Sequence, residues 1–261
     1  MDVALKNPLC TVLVGKCTEA LLDGIGGRAF RSKAVVRRLL ETSETSTILA
    51  HSNRSAEKLA SLKEEFGARL TLLQADFSQA SAVVQMAEQI TRDHGTPASI
   101  VHLPALRLTH ERFTKFQWER FDEDLAVQVR SAIILLKAFL PKMAKLPRAR
   151  VLFILSSVVH GVPPKYMTMY TTLKYTQLGL MRSLAAEYAS TPVRINAISP
   201  SMVATQFLSE ISDIAVQMSA AANPQGRNAN PQDLLGAMEL LLSSASDYIH
   251  GVDLPIAAGG V

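Results

Sequence analysis

The chain has 261 residues, of which 48% are hydrophobic and 19% charged, and its formal net charge is +4. This composition is typical of a globular domain and excludes a disordered chain, and the length fits a single α/β domain. The small, diffuse positive charge does not indicate nucleic-acid binding, and no apolar run is long enough to span a bilayer. For these reasons we expect no nucleic-acid partner and no membrane contact. The six histidines have no metal-ligand spacing, so we also expect no metal site.

The N-terminal sequence lacks the basic segment followed by an apolar stretch that marks a secretory signal. The two cysteines, Cys10 and Cys17, lie close in sequence without metal-ligating neighbours. Such cysteines suit a reducing compartment, and we therefore expect a cytoplasmic protein.

Short apolar segments alternate with segments of helical periodicity along the whole chain. The predicted strands are Leu9–Val14, Thr47–Ala50, Leu70–Gln74, Ile100–Val101, Val151–Leu155, Val193–Pro200 and a closing strand near residues 248–260. The predicted helices run from about Arg28 to Glu41, Ala56 to Phe66, Ser78 to Arg92, Phe121 to Met143, Tyr170 to Ala189 and Pro231 to Ser244. This alternation predicts one α/β domain over residues 1–261, a Rossmann-type doubly wound parallel sheet that binds ligands at the carboxyl ends of its strands.

A glycine-rich turn follows the first predicted strand. Gly15 comes directly after the strand, and Gly24-Ile25-Gly26 precedes the first helix. The backbone of such a turn can approach a pyrophosphate, whose negative charge the following helix N-terminus stabilises. We therefore expect Gly15, Gly24, Ile25 and Gly26 to bind the phosphates of a dinucleotide cofactor.

A second motif begins where the apolar strand Val151–Leu155 ends in Ser156 and Ser157. Tyr170 and Lys174 follow, four residues apart and so on one helix face. A nearby ammonium favours phenolate and should lower the pKa of the tyrosine toward neutrality. A phenol of this kind can give a proton to a carbonyl oxygen while a serine hydroxyl donates a hydrogen bond to the same oxygen.

This stretch resembles the catalytic segment of the short-chain dehydrogenase/reductase family, whose serine, tyrosine and lysine reduce carbonyls or oxidise alcohols with a nicotinamide cofactor. By position, Ser157 matches the family serine better than Ser156. Two departures from the family pattern concern the glycine-rich turn and the segment after the fourth predicted strand. Eight residues separate Gly15 from Gly24, more than in the family pattern T-G-x-x-x-G-x-G, and His102-Leu103-Pro104-Ala105 stands where N-N-A-G is usual.

The resemblance also assigns cofactor contacts to residues at other strand ends: Asn53, Arg54, Asp76, Phe77, Val203 and Thr205, together with Tyr170 and Lys174. No Asp or Glu occurs among residues 51–55, where NAD enzymes usually present a carboxylate to the ribose. The guanidinium of Arg54 suits a 2′-phosphate, so NADP(H) is the expected cofactor and NAD(H) the second choice. Two alternatives to these cofactor contacts stay open: Arg54 is a solvated loop residue, or Asp76 caps the helix that follows it.

In the helix Phe121–Met143, family members carry an asparagine that helps hold a proton-relay water. Aligning Ser131 and Lys137 with the family pattern places Gln128 at that position. A modified relay through Gln128 and a neutral role on the helix surface both stay open.

The resemblance implies an NADP(H)-dependent ketoreductase acting on a small-molecule or carrier-bound carbonyl, with Tyr170 as proton donor. The C-terminal half is most similar to 3-oxoacyl-carrier-protein reductases. One alternative is a sugar, steroid or small-alcohol dehydrogenase of the same family. The other is a non-catalytic binding protein, which the stretched glycine turn and the missing N-N-A-G favour. The segment 206–223 is interpreted as a substrate-covering lid.

The family usually forms dimers or tetramers through the helices here predicted as Phe121–Met143 and Tyr170–Ala189 and through the C-terminal strand. The first helix carries an apolar stripe of Leu125, Val129, Ala132, Ile133, Leu136 and Leu140, which Ile134 and Leu135 widen. The chain also ends on the apolar segment Leu254–Ala258, a candidate exposed edge. We therefore expect a homodimer or homotetramer, while packing on the protomer's own sheet is the alternative use of the stripe.

Overall fold

A computed structural model describes residues 10–14, 30–42, 46–53, 59–104, 110–203 and 213–260. In these ranges seven strands form one sheet in the order β3-β2-β1-β4-β5-β6-β7, and every neighbouring pair is parallel. The strands are β1 Cys10–Val14, β2 Thr47–Ser52, β3 Leu70–Gln74, β4 Ser99–His102, β5 Ala149–Ile154, β6 Val193–Pro200 and β7 Asp253–Ile256. The predicted doubly wound parallel sheet is confirmed.

Helices cover both faces of the sheet. They are α1 Phe30–Thr42, α2 Ala60–Phe66, α3 Ala80–His94, α4 Trp118–Leu125, α5 Ser131–Met143, α6 Thr168–Glu187, α7 Asp213–Ala222 and α8 Gln232–Leu242. One hydrophobic core packs α3, α5 and α6 against the sheet, and a second packs α1, α2 and α8 against the opposite face. Since both faces of the sheet are covered, the central strands are mostly apolar, and all six residues of β5 are buried.

The register places the ends of four strands side by side. Val14 pairs with both His51 and His102, and His102 pairs with Phe153. The strand order reverses between β1 and β4, which makes this edge the topological switch point. Open α/β sheets bind ligands in the crevice at such a point.

The helix predicted as Phe121–Met143 is not continuous. A π turn, Ala126–Arg130, separates α4 from α5, and its last hydrogen bond runs from the backbone N–H of Ser131 to the carbonyl of Ala126. Side chains bind two carbonyls of this turn. The Ser131 hydroxyl donates to the carbonyl of Val127 at 2.6 Å, and the carbonyl of Gln128 accepts from another helix. These bonds compensate the displaced α-helical pattern, so the break is stable.

The apolar stripe on these helices serves mainly the protomer's own core. Val129, Ala132, Leu135, Leu136 and Leu140 are all buried in it. Ile133 is the member of the described stripe that is exposed, at 46%. The expectation that Leu135 widens the stripe for a partner is therefore wrong, because α5 turns it toward the sheet. In the part of the chain that the structure describes, no helix is long and apolar enough to cross a membrane.

Candidate active site

A cavity of about 490 Å³ lies at the carboxyl ends of β5 and β6. Its walls are the exit of β5 with Ser156 and Ser157, the first turn of α6 with Tyr170, the β6 exit through Val203, and α7. Its size falls within the range of small-molecule sites. The structure thus brings together Ser157, Tyr170 and Val203, which the sequence predicted for one site, and α7 covers them from within the predicted lid segment.

The two serines at the end of β5 have different roles. Ser156 begins a short 3₁₀ turn, 157–159, and its hydroxyl oxygen accepts from the backbone N–H of Val158 at 3.5 Å. Ser157 stands in the turn itself and is half-buried against the cavity. Because Ser156 caps the turn, Ser157 is the better candidate for binding a carbonyl oxygen.

Tyr170 and Lys174 lie on one face of α6, as the spacing predicted. The ring of Tyr170 is half-buried at the cavity wall. The ammonium of Lys174 lies 5.7 Å from the centre of that ring and is only 2% exposed. It donates a hydrogen bond to the carbonyl of Ile154, the last residue of β5, at 3.3 Å. A positive charge is therefore held close beneath the phenol.

Gln177 is a residue of this site that the sequence analysis missed. Its side-chain oxygen accepts from the Lys174 ammonium at 2.9 Å, and its amide nitrogen donates to the backbone carbonyl of Gln128 at 3.0 Å. The side chain of Gln128 turns away and donates to the buried carboxylate of Asp124 at 3.0 Å. The signal that could have revealed Gln177 is its place one helical turn after Lys174 on the same face.

A buried carboxylate ties the serine turn to the end of the sheet. Asp253, at the start of β7, accepts from the Ser199 hydroxyl with both oxygens, at 2.7 and 2.9 Å. The Nε2 atom of His160, directly after the serine turn, lies 3.1 Å from the same carboxylate, although it is not aligned for a hydrogen bond. The turn that carries Ser157 therefore meets strands β6 and β7 at the Asp253 carboxylate.

His102 ends β4 at the switch point and is 2% exposed. Burial, and to a smaller extent the positive charge of Lys174 and the neighbouring His51, together lower its pKa from 6.5 to about 3. The imidazole is therefore neutral at physiological pH. Its Nε2 atom lies 3.4 Å from the Ser131 hydroxyl, so it bonds to the first residue of α5 beside the π turn. His102 therefore has a packing and hydrogen-bonding role at the position where the family usually has N-N-A-G.

We expect His102 to make the protein acid-sensitive. Between pH 6.5 and about 3 the unfolded chain binds a proton at this residue that the folded chain excludes, so stability is full above pH 6.5 and decreases as pH falls. The decrease between pH 7 and pH 5 should be about 2 kcal/mol. Urea unfolding of the wild type and of His102→Asn at both pH values measures it, because the variant lacks this component. The exposed His94→Asn is the control, and equal pH dependence of wild type and His102→Asn would contradict the assignment.

The predicted adenosine end of the site is described in part. Asn53 is half-buried just after β2. The Asp76 carboxylate accepts from the backbone N–H and hydroxyl of Ser78 at 2.9 and 2.8 Å, so it closes the turn into α3. Phe77 is 3% exposed and its ring stacks on His51 with centres 3.9 Å apart. The Phe77 ring thus supports His51, and the ring itself is not presented to a ligand. Gly15, Gly24, Ile25, Gly26, Arg54 and Thr205 lie outside the described residues.

The described residues fit a nicotinamide dinucleotide at this edge. The cavity lies at the carboxyl ends of β5 and β6, on the same edge of the sheet as the switch point, with a phenol and a buried ammonium in or behind its wall. Within the described part of the chain, Ser52 Oγ at the end of β2 and His102 Nδ1 at the end of β4 are buried polar atoms without a hydrogen-bond partner. Such atoms at strand ends are suited to a polar ligand. The arrangement is that of a dinucleotide-dependent oxidoreductase.

Comparison with known proteins confirms this class. The sequence profile of the family described as Enoyl-(Acyl carrier protein) reductase matches residues 32–260. The chain therefore belongs to this family of short-chain dehydrogenases/reductases, which are generally NAD(P)-dependent oxidoreductases acting on CH–OH groups.

The relatives share the fold over most of their length. The (3R)-3-hydroxyacyl-CoA dehydrogenase of Canis lupus familiaris is 25% identical over 74% of this chain and 74% of its own. Among solved structures, the 3-ketoacyl-(acyl-carrier-protein) reductase of Brucella melitensis, complexed with NADH, is 19% identical and covers 97% of this chain and 98% of its own, with a TM-score of 0.82. A blue fluorescent protein from a metagenomic library, in complex with NADPH, is 19% identical over 96% and 97%, with a TM-score of 0.81.

Proposed function

We propose that this protein is an NADP(H)-dependent ketoreductase that reduces a 3-oxoacyl-type ketone to a secondary alcohol. The observation that carries the proposal is the cavity at the carboxyl ends of β5 and β6, which has Ser157 and Tyr170 in its wall and the Lys174 ammonium beneath the phenol. The relatives with 3-hydroxyacyl and 3-ketoacyl substrates in their names support this substrate class. A sugar, steroid or small-alcohol dehydrogenase is the alternative within the family.

Each side chain has a separate task in the proposed reaction. When bound, the nicotinamide supplies the hydride. The Ser157 hydroxyl donates a hydrogen bond to the substrate carbonyl oxygen and orients it, and the Tyr170 phenol gives that oxygen a proton as negative charge develops. The Lys174 ammonium stabilises the resulting phenolate, since it is buried and its charge is poorly screened by water. The residues around α7 shield the reacting groups from solvent.

The proposal is tested by cofactor binding. NADPH should bind about ten- to a hundredfold more tightly than NADH, because no carboxylate stands among residues 51–55 and Arg54 can pair with the 2′-phosphate. Fluorescence titration of both cofactors measures the preference. Arg54→Ala should remove most of it and leave NADH affinity nearly unchanged.

Arg69→Ala is the matched control for Arg54→Ala, because the Arg69 side chain bonds the carbonyl of Ser46 at the opposite end of β2. This control should keep the preference for NADPH. Tighter binding of NADH by the wild type would refute the NADP(H) assignment. Binding of neither cofactor would favour the non-catalytic alternative.

We also propose that the protein assembles into a homodimer or homotetramer. In the described residues, β7 is one of the two edge strands of the sheet, and Ile133 and Tyr175 expose 46% and 44% on α5 and α6. Symmetric pairing would cover these surfaces. Light scattering at tens of micromolar should give a mass of two or four times the 28.4 kDa monomer, and a monomer mass would contradict the assembly alone.

A further inference from the structure

Gln177 connects two parts of the site that are distant in sequence. Its oxygen accepts from the Lys174 ammonium on α6, and its amide nitrogen donates to the Gln128 carbonyl in the π turn. Both Lys174 and Gln177 are almost completely buried, at 2% and 1% exposure. The amide therefore spans the gap between a buried charge and a buried backbone oxygen.

The chemistry of the two partners fixes the direction of this amide. An ammonium has only hydrogen-bond donors, so it must face the oxygen of Gln177, and a backbone carbonyl only accepts, so it must face the amide nitrogen. An ionised glutamate at this position could not donate to Gln128, and an apolar residue would remove the bonds that both partners make to Gln177. Neither the oxygen nor the nitrogen of the amide gains or loses a proton in the working pH range. The bridge therefore fixes the position of the ammonium and does not relay a proton.

We propose that Gln177 is the positioning residue of this site, fixing the Lys174 ammonium beneath Tyr170 by anchoring it to the π turn. It acts through Lys174, and its side chain is not part of the cavity wall. The importance of the anchored ammonium for cofactor binding rests on the proposed function. The bridge itself does not, because it is a property of the folded chain.

The bridge predicts an unusual order of stability for two variants. Gln177→Ala opens a polar gap between the ammonium and the carbonyl, which a water molecule with two polar partners can fill. Gln177→Leu fills the same gap with apolar atoms, so the ammonium loses its bond to Gln177 and the Gln128 carbonyl loses the amide donor, with no room for a water molecule to replace either bond. We therefore expect Gln177→Leu to have the lower melting temperature, although it removes less volume. If Gln177 only fills space, Gln177→Ala should melt lower, and this result would overturn the proposal.

A second substitution separates the bridge from packing. Adding Lys174→Met to Gln177→Leu removes the buried charge, so the double variant should melt above Gln177→Leu alone, by about 5 °C. No rise would overturn the proposal. If Gln177→Leu does not fold, folding of the double variant supports the bridge and failure of both variants overturns it. Gln85→Leu, at an exposed position of α3, is the control for the glutamine-to-leucine change.

NADPH titration then tests the link to function. Gln177→Leu should raise the dissociation constant of NADPH about tenfold and Gln177→Ala less than about threefold. In a chain that already carries Lys174→Met, adding Gln177→Leu should not raise the dissociation constant of NADPH further, because Gln177 acts through the lysine. An equal further loss in that background would overturn the positioning role. If the wild type binds no NADPH, the proposed function fails, while the melting order still decides the bridge.

Discussion

Tyr170→Phe should abolish turnover while leaving cofactor binding intact. With NADPH and acetoacetyl-CoA as the probe, kcat should fall about a thousandfold, because the variant removes the proton donor and little else. The ring is half-buried against the cavity and keeps its packing as phenylalanine. The dissociation constant of NADPH should change less than about threefold, since the lost hydroxyl is one neutral hydrogen-bonding group.

Tyr175→Phe is the matched control for this experiment. Tyr175 lies on the same helix and is 44% exposed, so it tests the loss of a phenol on α6 outside the site. Its kcat should equal that of the wild type. If the kcat of Tyr170→Phe is within a few-fold of the wild-type value, the assignment of Tyr170 as proton donor is wrong.

The strands of this fold could be predicted because their signal is local. A parallel strand covered on both faces is mostly apolar, so β5 and β6 were found within two residues of their ends. The spacing of Tyr170 and Lys174 is equally local, because one helix carries both. Alternation of strands and helices then predicts a parallel sheet with right-handed connections and helices on both faces.

The unpredicted features depend on contacts between distant residues. The π turn is compensated by a bond from Gln177, which lies 49 residues after Gln128. The Asp253 carboxylate binds Ser199 from 54 residues away and approaches His160 from still farther along the chain. Such long-range bonds cannot be predicted from helical periodicity. For the same reason the pattern could show an apolar stripe on α5 but not that the protomer's own core uses most of it.

His102 illustrates how burial changes the chemistry of a residue that the sequence shows plainly. Its position at the end of β4 was predicted, but its neutral state follows from complete burial beside the Lys174 ammonium. A neutral imidazole next to that ammonium adds no competing positive charge. Of these two side chains, Lys174 is therefore the one that supplies positive charge in the proposed reaction.

Lys174→Ala should damage turnover and cofactor affinity together. We expect kcat to fall about a hundredfold or more, because the phenolate formed at Tyr170 loses its buried counter-charge. The dissociation constant of NADPH should rise about tenfold, because the ammonium is also the proposed ligand of the nicotinamide ribose. Stopped-flow reduction of acetoacetyl-CoA and fluorescence titration with NADPH measure the two effects separately.

The control must exclude partial unfolding, because Lys174 is buried and its removal leaves the carbonyl of Ile154 and the oxygen of Gln177 without their donor. Urea unfolding of Lys174→Ala establishes the conditions under which the variant is fully folded, and the kinetics are then measured there. Lys137→Ala, on the exposed face of α5, should leave both kcat and the dissociation constant unchanged. An effect of Lys174→Ala on the KM for the ketone alone would contradict its role, because the ammonium stands behind Tyr170 and not in the cavity wall.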